Sequence, residues 1–141
     1  GRRAAGAGRP NRAADGKRMT KKVLIADDEI NIVTALEFLL QRCGYEVMAA
    51  QNGAEALERV ESFGPDLVLL DVMMPRISGY EVCRRMRERS DWKHIKIIML
   101  SAKGREAEVS KGVSLGADLY VTKPFSNNEL VGKIGELLAG A

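Results

Sequence analysis

Gly64-Pro65-Asp66-Leu67-Val68-Leu69-Leu70-Asp71 sets four consecutive large aliphatic residues between a turn signal and a carboxylate. A run so short and so wholly apolar predicts a strand covered on both faces, since a half-exposed strand alternates and a helix needs more length. Upstream, Val23-Leu24-Ile25-Ala26 runs into Asp27-Asp28 in the same way. Two strands of the buried type therefore each end in acid.

Between and beyond them the chain alternates helix and strand signals. Asp28 is placed to cap a helix with the stripe Ile32, Val33, Leu36, Leu39, Leu40 and Cys43, stopped by Gly44. Tyr45 to Ala50 supplies a second strand. Asn52 with Glu55 opens a helix whose face is Ala54, Leu57 and Val60, and Ser78 with Glu81 opens one with Val82, Cys83 and Met86 inward and Arg84, Arg85, Arg87 and Glu88 outward. Ile95 to Leu100 reads as the fourth strand. Residues 105–115 make a poorer helix, its face little more than Ala107, Val109, Val113 and Leu115, and Gly112 costs it about 1 kcal/mol against Ala. A last strand around Asp118 to Thr122 precedes Lys123-Pro124, and Ser126 with Glu129 opens a final helix carrying Leu130, Ile134, Leu137 and Leu138.

Five such alternations mean an α/β fold, a doubly wound five-stranded parallel sheet with helices on both faces. For this length the strand order 2-1-3-4-5 is favoured, the flavodoxin-like (βα)5 arrangement. Its ligand crevice opens at the carboxyl ends of the neighbouring first and third strands, which places Asp27, Asp28 and Asp71 together.

Composition limits what else fits into 141 residues. One core of ordinary globular make-up leaves no room for a second catalytic domain. The net charge of +3 is uneven: residues 1–20 hold six Lys/Arg and one acid, leaving the rest with 16 bases against 18 acids. Residues 1–20 read as a disordered basic leader, with residues 1–18 a tag or an extension ahead of Met19, because their Gly, Ala, Arg and Pro cannot bury enough surface to fold. A basic arm for nucleic acid would want interleaved aromatics, which are missing there. Residues 21–141 read as the folded domain. Cys43 and Cys83 are too few for a disulfide framework, and a reduced, cytoplasmic setting is expected. The most apolar run is broken by Asp71, so no membrane span is expected. His94, the sole histidine, falls in a polar loop with no role assigned.

Three convergent carboxylates carry a like-charge cost that a cation relieves, and a hard ion that keeps waters and meets phosphate, Mg²⁺, suits an all-oxygen site. Ser101 from the end of the fourth strand and Lys123 from the end of the fifth bring a hydroxyl and an ammonium to the same place, suited to the oxygens of a transferring phosphoryl group. Asp71 then reads as a nucleophile forming an aspartyl phosphate. Taken singly, Asp28 reads equally as a helix cap, Asp71 as a turn residue and Lys123 as a solvated loop lysine. Their joint placement at strand ends favours a site.

The segments Val23–Glu29, Pro65–Pro75, Ser78–Glu81, Ile98–Lys103 and Gly116–Phe125 together resemble the receiver domain of bacterial two-component response regulators, CheY-like, from about Lys21 to Leu138. The resemblance implies that Asp71 accepts a phosphoryl group from a sensor histidine kinase or a histidine phosphotransfer protein. It implies Mg²⁺ on Asp28, Asp71 and the Met73 backbone carbonyl, with Asp27 helping directly or through water. Lys123, with a cis peptide to Pro124, would hold a phosphoryl oxygen. Ser101 and Tyr120 would form the switch, acting on the face made by the fourth helix, fifth strand and fifth helix. The output would be a downstream effector protein or domain, with no membrane and no direct nucleic-acid contact, and the chain would be a phospho-acceptor, not an enzyme, that assists its own phosphoryl transfer and slow dephosphorylation. A weak phosphorylation-dependent dimer is also implied, although its usual charge ladder is incomplete: Val109 and Leu119 stand where an arginine and an aspartate are common, while Glu129 and Lys133 remain.

Two other classes compete. A haloacid-dehalogenase-like phosphatase wants Asp-x-Asp with Thr or Val at the fifth position, against Asp27-Asp28-Glu29-Ile30-Asn31 here. A flavodoxin-like nucleotide-binding module wants a glycine- or hydroxyl-rich loop where Asp27-Asp28-Glu29 would repel phosphate.

Overall fold

The computed structural model describes residues 20–102 and 115–140. Among them run β1 (Lys22–Ala26), α1 (Ile30–Arg42), β2 (Glu46–Ala50), α2 (Gly53–Phe63), β3 (Leu67–Asp71), α3 (Gly79–Glu88), a 3₁₀ turn at Ser90–Trp92, β4 (Lys96–Ala102), β5 (Leu119–Lys123) and α4 (Asn127–Ala139). The expected leader and the helix expected over 105–115 lie outside the described residues, Thr20 and Leu115 apart.

All five strands pair in parallel, in the order β2-β1-β3-β4-β5. The central strand β3 is buried at every residue, whereas the edge strands β2 and β5 are mostly half-exposed. Two apolar layers flank the sheet. Val33, Leu36 and Leu40 of α1 join Leu130, Ile134 and Leu138 of α4 over Val23, Ile25, Leu67 and Leu69. On the other side, Ala56 and Val60 of α2 and Val82, Cys83 and Met86 of α3 cover Leu24, Val68, Leu70 and Met99. Truncating a fully buried leucine such as Leu69 in such a layer costs about 2–5 kcal/mol.

Local signals position most of the helices. Asn52, Ser78 and Ser126 each accept a hydrogen bond from the backbone N–H three residues on, at 2.8, 3.3 and 3.3 Å. Gly64 ends α2 in the left-handed region at φ +64°, which a residue without Cβ adopts freely.

Four expectations are corrected. Asp28 does not cap α1; the N-cap is Glu29, and its side chain makes no capping bond. The Glu29 N–H instead donates to Asp27 Oδ1 at 2.8 Å. The fully buried face of α2 is Gly53, Ala56, Val60 and Phe63, with Leu57 half-buried against the same layer as expected and Ala54 outside it; the helix starts hard against the loop after β3, where a Cβ on Gly53 would overlap the Ile77 carbonyl. Arg87 turns inward rather than outward, donating from Nε to Gly116 O at 2.8 Å and from Nη2 to Asp118 Oδ2 at 2.9 Å. Cys43, counted in the α1 stripe, is exposed, and Cys83 is buried; both are free thiols.

Candidate acidic site at the strand ends

Register brings the site together. Ala26 pairs with Leu70 and Asp71 with Leu100, so Asp27 emerges beside Asp71 on the neighbouring strand, and Ser101 follows one residue beyond the partner of Asp71 on β4, at the same end of the sheet. Ala102 pairs with Lys123, which aligns the lysine with the end of β4. Oxygens of Asp27, Asp28 and Asp71 lie within 4.8 Å of one another. Asp27 is fully buried and Asp71 is 6% exposed, while Asp28 faces solvent.

Lys123 Nζ lies 2.9 Å from Asp27 Oδ2, 2.7 Å from Glu29 Oε1 and 3.6 Å from Asp71 Oδ1. The contact with Asp27 Oδ2 is an ion pair without hydrogen-bond alignment, since that buried oxygen has no aligned donor. Asp71 Oδ1 accepts from the Met73 N–H at 3.3 Å. Burial, then the neighbouring Asp27 charge, push the Asp71 carboxyl up to about 7, against the opposing pull of Lys123 and the Met73 N–H. Burial acts to lower Lys123, but its close contacts with Glu29 and Asp27 and the Asp71 charge outweigh it and hold the ammonium above its ordinary value.

A site in which burial and a like charge hold the Asp71 carboxyl up at about 7, with a buried carboxylate oxygen left unaligned, fits a divalent cation: a hard ion supplies the positive charge that one lysine does not. Met73 follows in the loop with its side chain 58% exposed. Glycine is required at the start of α3. Gly79 N donates to Val72 O at 2.9 Å, and a Cβ there would overlap the Asp71 carbonyl.

Ser101 is buried at the strand end, its hydroxyl donating to the Ala102 carbonyl at 3.3 Å rather than to any carboxylate. Tyr120 is half-buried, its hydroxyl 3.2 Å from that of Tyr80 on α3. The Lys123–Pro124 peptide is cis. Beside it opens a groove of about 480 Å³ lined by Glu29, Ile32, Leu36, Lys123 and Phe125 among others, so Lys123 is reachable from solvent on that side.

Two neighbours escaped sequence reasoning. Glu29 was legible only as the third acid of a run, and Tyr80 only as a large residue at a helix start. A tyrosine on a buried face seeks a partner for its hydroxyl, and that was the available signal for Tyr80.

Comparison with known proteins agrees with this geometry. Residues 23–135 match the family model of the response regulator receiver domain. The chain is 45% identical over 120 residues to the alkaline phosphatase synthesis transcriptional regulatory protein PhoP of Bacillus subtilis, covering 85% of this chain and 49% of that one. It spans about half the length of the curated relatives it matches. Among solved structures, the receiver domain of the Francisella response regulator 1452 superposes with TM-score 0.79 at 30% identity, over 85% of this chain and 98% of that one. The chemotaxis protein CheY4 of Vibrio cholerae gives 0.78 at 32%, over 84% and 98%. These matches decide the family among the three classes weighed from the sequence.

Proposed function

The chain belongs to the response regulator receiver domain family of two-component systems, and we propose that within it Asp71 is the phospho-acceptor. The observation that carries the reading is the convergence of Asp27, Asp28 and Asp71 within 4.8 Å beside Lys123. An Asp71 carboxylate oxygen attacks the phosphorus of a phosphohistidine on a sensor kinase or phosphotransfer protein. The P–N bond breaks, the imidazole leaves and takes up a proton, and an acyl phosphate remains on Asp71. Slow return follows when water attacks phosphorus and the carboxylate leaves. The domain is thus a stoichiometric acceptor that assists its own chemistry, not an enzyme acting on a separate substrate.

Asp28, Asp71 and the Met73 carbonyl would hold Mg²⁺, with Asp27 behind them. Mg²⁺ supplies charge neutralisation at the phosphoryl oxygens. Lys123 contributes an ammonium for one of those oxygens, and Ser101 a hydroxyl for another once it leaves Ala102 O. Tyr120 carries the change outward along β5. A downstream effector protein or domain would read the altered surface, with a weak phosphorylation-dependent dimer as a further state, and with no nucleic acid contacted by this domain itself. No helix among the described residues is long and apolar enough to cross a membrane, in keeping with a cytoplasmic role. Residues 21–141 form the receiver and residues 1–20 a leader in this reading.

Incubation with acetyl phosphate and Mg²⁺ tests it by intact mass. The wild type should gain one phosphoryl group and Asp71→Asn little; equal labelling of both would remove Asp71 from the role.

A further inference from the structure

Lys123 offers three N–H donors, and in this structure the acceptor carboxylate is the anion farthest from it: 3.6 Å to Asp71 against 2.7 Å to Glu29 and 2.9 Å to Asp27. Shifting the ammonium toward an oxygen of a group on Asp71 lengthens its contacts to these closer partners. Asp27 is fully buried and its Oδ2 has no aligned hydrogen-bond donor, so parting from the ammonium strands a charge in the interior. The Glu29 side chain is 57% exposed, and water replaces the lysine there at little cost. Glu29 is the partner that yields.

The local backbone shows that Glu29 is held for this contact. Its N–H donates to Asp27 Oδ1 at 2.8 Å and its carbonyl accepts from Val33 N at 3.1 Å, which fixes the residue at the N-cap of α1. Short polar side chains at that position usually bond the free N–H groups of the first turn. Glu29 makes no such bond; its carboxylate reaches across to β5 instead. An aspartate in its place would be one methylene shorter, able to cap the helix and unable to span to Lys123.

We propose that Glu29 is a positioning residue that tethers Lys123 in the unphosphorylated domain and so slows phosphorylation of Asp71. This rests on Asp71 being the acceptor. The tether is an exposed ion pair, so its release should change the fraction of lysine free to swing by about 1.4- to fivefold, and the phosphorylation rate with it.

The test measures the rate of labelling by acetyl phosphate at saturating Mg²⁺, by intact mass, for the wild type, Glu29→Ala, Glu29→Asp and Asp71→Asn. Both Glu29 variants should label about 1.4- to fivefold faster than wild type, and in both the Lys123 side-chain titration, followed by NMR at its ε-carbon, should move down. The aspartate variant separates reach from charge. If only Glu29→Ala is faster while Glu29→Asp matches wild type, Glu29 merely repels an anionic donor and the tether is wrong. Unchanged or slower labelling in both variants also overturns it, with Asp71 still the acceptor. Full labelling of Asp71→Asn would instead defeat the acceptor assignment, and the tether with it.

Discussion

The hydroxyls of Tyr80 and Tyr120 meet at 3.2 Å, tying the first turn of α3 to β5. Tyr80 follows Gly79, whose N–H is bonded to the carbonyl of Val72 next to Asp71. The candidate acceptor and the candidate switch tyrosine are thus linked through the start of one helix as well as across the sheet. Tyr80→Phe keeps the ring and its packing while removing one half of the pair. It should cost about 0.5–1.5 kcal/mol in urea unfolding. A double-mutant cycle with Tyr120→Phe should show coupling of similar size, and additive losses would mean that the two hydroxyls do not interact.

Stability should fall with rising pH across the range set by Asp71. Its carboxyl is raised from about 3.8 to about 7, so between those values the folded protein holds a proton that the unfolded chain has released. The stabilisation is complete below the unfolded value and is lost as pH rises through 7, at up to about 1.4 kcal/mol per pH unit. Urea midpoints at pH 5, 6, 7 and 8 without divalent cations should decline for the wild type and much less for Asp71→Asn. Parallel profiles would show that Asp71 is not the group responsible.

Which features were legible in the sequence follows from how local their causes are. The caps at Asn52, Ser78 and Ser126 read correctly because donor and acceptor sit three residues apart. The strand order and the gathering of acids at the sheet edge also read correctly, since both follow from apolar runs ending in Asp27 and Asp71 in parallel neighbours. The cap of α1 did not, because Asp27 takes the Glu29 N–H and shifts the start of the helix by one residue. The face of α2 read correctly at Leu57 and Val60 but not at Ala54, since the fully buried row runs through Gly53 and Ala56. Arg87 was hidden because its partner Asp118 lies 31 residues away.

That arginine carries its own prediction. Asp118 Oδ2 accepts from Arg87 Nη2 and also from the Ile97 backbone N–H at 2.8 Å, so the pair pins the segment before β5 to both α3 and β4. With the Arg87 side chain only 19% exposed, its removal exceeds the loss of a surface ion pair. Arg87→Ala should lower unfolding free energy by about 1–2 kcal/mol. Arg87→Lys should restore less than half, because one ammonium cannot serve Gly116 O and Asp118 together in the fork geometry of a guanidinium. Full rescue by lysine would reduce the clamp to simple charge.

Asp28 isolates the metal contribution. It is the solvent-facing member of the acidic trio and caps no helix, so Asp28→Ala should fold normally and, by easing repulsion around Asp71, be no less stable than wild type without metal. Calorimetric titration with Mg²⁺ should show binding to the wild type and none to the variant. Equal heats for both would take Asp28 out of the metal site.

Ser101 should decide whether events at Asp71 reach Tyr120. Its hydroxyl is bonded to the adjacent Ala102 carbonyl at 3.3 Å, a weak local partner that a phosphoryl oxygen, as a charged acceptor, should outcompete. Swinging the hydroxyl toward Asp71 changes the packing beside the residue it pairs with on β5, Thr122, two positions from Tyr120. A charged acceptor thereby becomes a change in side-chain arrangement, provided that the Tyr120 ring has two states of similar energy. One or two charge-assisted hydrogen bonds are worth about 1.5–3 kcal/mol each, enough to move such a balance from mostly one state to mostly the other. Beryllofluoride, a phosphoryl mimic, should therefore shift the amide resonances of residues 119–123 and the ring signals of Tyr120 and Tyr80 in the wild type. In Ser101→Ala those shifts should shrink by at least half while Asp71 still accepts a phosphoryl group from acetyl phosphate. Undiminished shifts at Tyr120 in the variant would mean that the signal travels by the α3 route through Gly79 and Tyr80 instead.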